Sequence, residues 1–330
     1  MSDVSPQTGK LLALSMLPGI GPANLRKLAA VEGFSSKSIG QIADEVASLK
    51  NALAKGNWSD ALSKAEEQAE FAARDDIRIL SPLDEIYPAL LAATRDDPFL
   101  LWVRGSLAPD PLKSVAIIGT RDPTAHGKQI TRRITRYFVE QGWSVVSGLA
   151  SGCDAIAHQE AVDARGHTAA VLAHGLHTVA PSTNRRLAED IIGAGGALIS
   201  QYPMGTDAHP HQFVQRDKTQ AGLSQGVIMV QSDVSGGSLH ASGAILRYGR
   251  WLAVPYPTPQ DRERNEPKIQ ANLLLAQGTP EDKARLLQLG EKAGQPNIIV
   301  LHSKDDYQKC ISKPSGLIAR AGAASQSGVI

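Results

Sequence analysis

Cysteine is scarce in this 330-residue chain, and so are aromatic residues and long apolar runs. The two cysteines, Cys153 and Cys310, stand far apart and in no Cys-x-x-Cys or Cys/His ligand pattern. That argues against a disulfide framework and a zinc site, and it points to a reducing compartment. Aromatic residues make up only 5% of the chain, so any recognition by base stacking rests on very few rings. No stretch approaches the roughly 20 apolar residues needed to span a bilayer. The opening MSDVSPQTGK lacks a charged region followed by an apolar run. The expected location is the cytoplasm. An excess of charge is missing too: 34 Lys and Arg face 33 Asp and Glu, a net charge of +1. A nucleic-acid partner would therefore need positive charge gathered on one face.

Several catalytic signatures are also absent. There is no GxxxxGK[ST] of a Walker-type ATPase and no GxSxG elbow. The first apolar run is not followed by GxGxxG, nor by an acidic residue placed for a ribose, which argues against a nicotinamide enzyme.

What is present is a rhythm. Up to about Arg74 the chain reads as helical, with Leu11, Leu12, Leu14 and Leu17 leading into Pro18-Gly19-Ile20-Gly21-Pro22, and Leu25, Leu28 and Ala29 following at helical spacing. Ser59 to Ala73 is a further amphipathic helix. Ile77 to Leu107 is mixed. From Ser114 short apolar runs alternate with helical stretches: Val115–Ile118, Trp143–Val146, Thr168–Leu172, Ala197–Ser200, Val227–Val230 and Trp251–Val254. Runs of this kind are strands buried on both faces of a parallel sheet. The expected class is α/β, a doubly wound, mostly parallel, Rossmann-like sheet preceded by a small helical domain. Pro257 to Arg264 reads as a polar loop, Lys268 to Gln277 as a helix and Ile298 to Leu301 as a last strand. The expected organisation is a helical N-terminal domain over residues 1–75, the Rossmann-like domain over 76–311 and a disordered Gly/Ala/Ser-rich tail over 312–330.

In an open parallel sheet ligands bind beyond the carboxyl ends of the strands. There the chain carries Gly119-Thr120-Arg121, Ser147-Gly148-Leu149-Ala150-Ser151-Gly152, His174-Gly175, Gln201-Tyr202-Pro203 and Ser232 to Ser238. Small residues let a ligand reach the backbone, and helix N-termini behind such turns attract phosphate. Arg121 can fork onto phosphate oxygens or pair with Asp122. Arg216 with Lys218 and Arg185 with Arg186 follow other strands on the same edge, so the three groups could form the local groove that the net charge hides. Phe213 could stack on a base, though a ring at a helix start is more often a core staple. Asp154 and His158 are spaced i, i+4 and could be a base and its orienter, but no nucleophile accompanies them and Asp154 stands where an N-cap stands. His209 and His211 flank a proline without a third metal ligand. The Pro18–Gly21 turn, followed by Asn24, Arg26 and Lys27, has the form of a helix-hairpin-helix, which cradles phosphate or serves only for packing.

These motifs, taken in order, resemble the DNA-processing protein A (DprA/Smf) family. The resemblance is carried by Val115–Arg121 (VAIIGTR), Ser147–His158 (SGLASGCDAIAH), Pro181–Leu187, Tyr202-Pro203 with Gly205-Thr206, Phe213–Ser224 (FVQRDKTQAGLS), Ser235–Leu239 (SGGSL) and Gly249–Pro255 (GRWLAVP). Tyr87–Leu91 and Leu101–Gly105 match in order as well. The resemblance implies an extended Rossmann fold that forms a homodimer, binds single-stranded DNA in a basic pocket, passes it to the RecA recombinase and catalyses no reaction. Neither cofactor nor metal is implied. The residues expected at DNA or phosphate are Gly119, Thr120, Arg121, Ser147, Gly148, Gly152, Arg185, Arg216, Lys218, Ser235, Gly236, Gly237 and Ser238.

Departures from the family pattern stand at Ser151 for Arg, Val214 for Pro, Asp217-Lys218 for Asn-Arg, Ala241 for Thr and Ala180 for Tyr. The changes at 151 and 217 should weaken phosphate binding. The winged-helix domain of many members is not evident after Pro255. Such a divergent member fits natural transformation and recombination, or a specialised role in mobile DNA or phage defence. The competing expectation is a nucleotide-binding sensor or nucleotide hydrolase of the lysine-decarboxylase-like (LOG) group. Ser235–Ser242 (SGGSLHAS) resembles that group's glycine segment but lacks its glutamate. A protein-interaction scaffold is a third reading, and it predicts no nucleic-acid affinity.

Overall fold

The structure, a computed structural model, describes residues 4–290 and 296–312. The tail expected to be disordered lies, from residue 313 on, outside the described residues. Nine strands form one sheet: β1 Ile77–Leu80, β2 Leu101–Gly105, β3 Ser114–Ile118, β4 Ser144–Ser147, β5 Thr168–Leu172, β6 Ala197–Ser200, β7 Gly226–Met229, β8 Trp251–Pro255 and β9 Ile298–Leu301. Their order is β1-β2-β6-β5-β4-β3-β7-β8-β9. From β6 to β9 every pairing is parallel, while β1–β2 and β2–β6 are antiparallel. The six apolar runs of the sequence are all strands, and all are buried along their length. The last run, Ile298–Leu301, is a strand as expected, and it lies at the edge of the sheet.

The two faces carry separate cores. Ala116, Ile118, Val146 and Val227 pack with Ala241, Ala244 and Ile245 of the helix Ser238–Arg247. Val115, Ile117, Val145 and Trp251 pack on the other face with Ile134 and Phe138 of the helix Ala125–Glu140. So the helices that follow β3 and β7 lie on opposite faces of two adjacent strands. Their N-terminal ends diverge, and a crevice opens where the strand order reverses.

Five helices, from Pro6 to Arg74, precede the sheet. Ser38 and Gln41 form a capping box at the third, and the Asn57 side chain accepts from the Ser59 N–H at the fifth. Their apolar side chains, among them Leu11, Leu14, Leu28, Ile42 and Leu49, share one core with Ile77, Ile79 and Trp102 of β1 and β2. The hairpin turn at Pro18–Gly21 is held by the Asn24 amide, which donates to the Gly19 carbonyl at 2.9 Å. Arg26 does not face solvent freely. It pairs with the buried Asp97 at 3.6 Å, which ties the helical region to the sheet domain.

Two stretches differ from expectation. Residues 77–107, read as mixed, contain the antiparallel β1 and β2. Both are four or five residues long and buried on both faces for most of their length, so no alternation marks them. Residues 257–264, read as a polar loop, contain the helix Pro259–Glu263, capped by Thr258 with Pro259 in its first turn.

Candidate functional site

The crevice at the carboxyl ends of β3 and β7 is a cleft of about 610 Å³. One wall is the segment after β3, Gly119-Thr120-Arg121, and another is the loop from Ser232 into the helix Ser238–Arg247. The helix Pro210–Gly222 closes it with Phe213, Arg216, Asp217 and Gln220. A second cavity of about 430 Å³ lies at the other end of the strands, beside Ser114 and Ser144 where β3 and β4 begin, and its lining is mainly apolar.

The wall loops are held by buried polar side chains and close backbone contacts. Asn272 donates its amide to the carbonyls of Met229, Val230 and Pro255 and accepts from the Ser232 N–H at 3.1 Å. Thr120 N–H donates to the Gln231 carbonyl at 2.8 Å, and the Cys153 N–H returns to the Thr120 carbonyl at 3.2 Å. Gly152 has φ +79°, and a Cβ there would fall 2.4 Å from the Arg121 carbonyl. Only glycine lets the start of the helix Cys153–Asp163 approach the Arg121 backbone this closely. Past β7, Asp233 accepts from the N–H and hydroxyl of Ser235, and Ser238 donates to Ser232 Oγ at 2.8 Å. The helix Ser238–Arg247 starts without a side-chain cap. Among the described residues no protein acceptor takes the N–H groups of Gly237 and Ser238. Both residues line the cleft, so this helix end turns two open N–H donors, reinforced by the helix dipole, toward it.

The two arginines of the cleft differ in kind. Arg121 is exposed and, among the described residues, has no ion pair; Asp122 pairs with Lys268 instead, at 2.5 Å. Arg216 is 5% exposed. Its Nη1 donates to the carbonyls of Gly148 (2.6 Å) and Val171 (3.1 Å), and its Nε meets Asp217 Oδ1 at 3.0 Å. Gln220, with its amide oxygen toward them, accepts from Arg216 Nε at 3.1 Å and Gly148 N–H at 3.2 Å. No protein acceptor among the described residues takes Nη2. So Arg216 is a beam under the cleft floor with one nitrogen to spare.

Phe213 belongs to no buried core cluster and is not the staple the sequence favours. Its ring lies between the guanidinium groups of Arg121 and Arg216, at 5.8 and 5.7 Å from their central carbons.

Asp154 is not an N-cap: Gly152 is, and Asp154 sits inside the first turn. Its carboxylate accepts from the Gly148 N–H at 3.1 Å, and burial holds its pKa up. His158 bonds Thr168 Oγ1 at 2.7 Å rather than Asp154, and burial pushes its pKa down to about 3, so it is neutral. Asp217 is pushed up to about 7, by burial first, with Arg216 opposing and Asp154 adding to the rise. Two guanidinium groups therefore face three carboxylates, those of Asp154, Asp217 and Asp233. Acidic groups thus share the cleft with the two arginines, and two of them, Asp154 and Asp217, have raised pKa values.

Of the residues expected at phosphate, Gly119, Thr120, Arg121, Arg216, Gly236, Gly237 and Ser238 line this cleft. Ser147, Gly148, Gly152, Arg185, Lys218 and Ser235 do not. The buried hydroxyl of Ser147 donates to the Ile117 carbonyl at 2.7 Å. Gly148 and Gly152 are contact points of backbone and side chain. Lys218 pairs with Asp96 at 3.2 Å, because two residues along a helix turn a side chain to another face. Arg185 is exposed at the head of the helix Arg185–Gly193. Asp217, which the sequence reading expected to weaken phosphate binding, lines the cleft i, i+4 from Phe213, whereas Gln220 and His240 of its lining were not singled out. His209 and His211 stack at 6.0 Å, and among the described residues no group of three or more His, Cys, Asp or Glu is placed for a metal. No helix among the described residues is long and apolar enough to cross a membrane.

Residues 78–278 match the family described as DNA recombination-mediator protein A. The chain belongs to that family. The match runs from β1 to the helix Gln270–Gln277 and contains every residue that lines the cleft. Protein Smf of Synechocystis sp. is 33% identical over 250 residues, which are 69% of this chain and 59% of that protein. The DNA processing protein DprA of Bacillus subtilis is 37% identical over 171 residues, 51% of this chain and 57% of that one. The match thus spans a little over half the length of these relatives. The structure of DNA processing protein A from Streptococcus pneumoniae has the same fold, with TM-score 0.66 at 24% identity over 92% of this chain and 97% of that one. The structure of DNA processing protein A from Helicobacter pylori, described for its single-stranded DNA binding mode, aligns with TM-score 0.53 at 28% identity over 61% of this chain and 88% of the other.

Proposed function

We propose that the cleft binds single-stranded DNA, as a recombination mediator does, without making or breaking a covalent bond. The observation that carries this is the Arg121 guanidinium, without an ion pair among the described residues, beside the Phe213 ring and in one cleft with the open N–H groups of Gly237 and Ser238. A phosphate bridges the guanidinium and the helix end, and a neighbouring base meets the ring. The single-stranded DNA binding of the H. pylori relative supports the reading. Binding rather than catalysis fits the chemistry of the nearby groups. Asp154 and Asp217 are engaged with backbone N–H or Arg216, and burial pushes the Cys153 thiol up to about 12, which keeps it protonated.

The wider role follows the family: delivery of the strand to the RecA recombinase, by a homodimer in the cytoplasm. Fluorescence anisotropy of a labelled oligonucleotide, single-stranded against duplex, across a salt series tests the binding step. Tighter single-strand binding with a salt slope is the expected result. Equal affinity for both forms, or affinity for a mononucleotide alone, overturns it in favour of a nucleotide-binding protein.

A further inference from the structure

Three acidic side chains, Asp154, Asp217 and Asp233, share the cleft with two arginines. Arg216 faces both Asp154 and Asp217, and Asp154 has its own donors in the β4 turn, the Gly148 N–H among them. Asp217 has one partner, Arg216 Nε on Oδ1, and no protein donor among the described residues reaches Oδ2. Its side chain is 14% exposed, and it lines the cleft. Oδ2 is open to the cleft, and a largely buried carboxylate with one protein donor gains from a second. A phosphodiester brings only acceptors. The part of a nucleotide that carries N–H groups, and so can supply a donor to Oδ2, is the base.

Position supports this. Phe213 and Asp217 are four residues apart on the helix Pro210–Gly222, so ring and carboxylate stand one turn apart on the same face. Both line the cleft, with Arg121 and the helix end at Gly237 and Ser238 on its other walls. A nucleotide with its phosphate between Arg121 and that helix end has its base against the ring and its edge toward Asp217.

We propose that Asp217 selects the base held in the cleft, accepting from an exocyclic amino group; this rests on the strand-binding reading above. Cytosine and adenine each offer one amino group, and guanine an amino group with an imino donor beside it. Thymine offers a single imino N–H between two carbonyls, which repel the carboxylate. The order of preference is guanine, then cytosine and adenine, then thymine. The groups that face Asp217 are Arg216 on its own helix, Arg121 after β3 and Asp154 at the helix after β4.

The test compares oligo-dC with oligo-dT of equal length, which have the same phosphates, by anisotropy at pH 8 and fixed salt. That pH lies above the value of about 7 to which burial raises Asp217. Wild-type protein is expected to favour oligo-dC by about five- to tenfold. In Asp217→Asn the amide oxygen keeps the bond to Arg216 Nε and the NH2 turns to the cleft, so the ratio falls to about one or inverts. A thermal melt establishes that the variant is folded. Equal wild-type affinity for the two strands overturns the inference and leaves strand binding intact. So does a preference for oligo-dC that survives in Asp217→Asn. Failure of the wild type to bind either strand removes the strand-binding reading, and this inference with it.

Discussion

Arg216 Nη1 lies 2.6 Å from the Gly148 carbonyl oxygen, and a Cβ on Gly148 would fall 1.8 Å from the same nitrogen. The glycine after β4 is therefore a socket for the arginine on the helix Pro210–Gly222. The socket is how a helix and a strand end are locked across the sheet edge that forms the cleft.

Substituting Arg216 by Ala is expected to damage the fold first. It leaves Asp154 and Asp217 buried without their counter-ion, a loss of about 3–5 kcal/mol. Urea denaturation measures it. Gly148→Ala should also destabilise, by pushing Arg216 out of its socket. A denaturation midpoint unchanged in both variants would show that the socket does not bear on stability.

Arg121→Ala is the contrasting case. The side chain is exposed and, among the described residues, has no ion pair, so stability should change by no more than about 0.5 kcal/mol. Affinity for single strands should fall, and the slope of log K against log salt should become shallower by about 0.7 for one phosphate lost. A weaker affinity with an unchanged slope would mean that Arg121 does not touch phosphate.

Asp217 gives a pH dependence. Its pKa is raised in the folded state, so the fold holds this proton more tightly than the unfolded chain does. Its contribution is fully present below the ordinary carboxyl value of about 3.9 and is lost as pH rises through about 7. Asn mimics the protonated acid. Asp217→Asn should therefore be more stable than wild type at pH 8, by about 4 kcal/mol, and close to it at pH 4. Thermal melts of both proteins at the two pH values check this, and an equal difference at both would refute it.

Arg250 is a structural arginine 4% exposed. It donates to the carbonyls of Ala221, Gly222 and Ser224 at the end of the helix Pro210–Gly222, and to Leu90. Burial pushes its pKa down to about 10, still charged at neutral pH. Arg250→Met should cost about 3 kcal/mol or more, because those carbonyls lose their donors. If single-strand affinity survives in the folded fraction, Arg250 acts only through the fold. Circular dichroism with anisotropy on one sample separates the two effects.

The sequence by itself determined the parallel sheet. Six continuous apolar runs separated by helical stretches have few solutions other than strands buried on both faces. It also pointed to the sheet's carboxyl edge, where glycine-rich turns follow the strands and the cleft opens. Gly119–Arg121 and Gly236–Ser238 were legible for that reason. β1 and β2 were not, because short strands buried on both faces show no alternation. Only the tertiary structure decided which basic residues share the cleft. Arg216 and Lys218 are neighbours in sequence, yet one anchors the cleft floor and the other pairs with Asp96, because consecutive helix positions turn by about 100°. Only the fold could place Asp154, Asp217 and Asp233 in one cleft with two arginines, a grouping that a count of basic motifs does not show. Charge in a site is a sum over space, and segments 63 residues apart in the chain, at Asp154 and Asp217, add only after the sheet has brought their strand ends together.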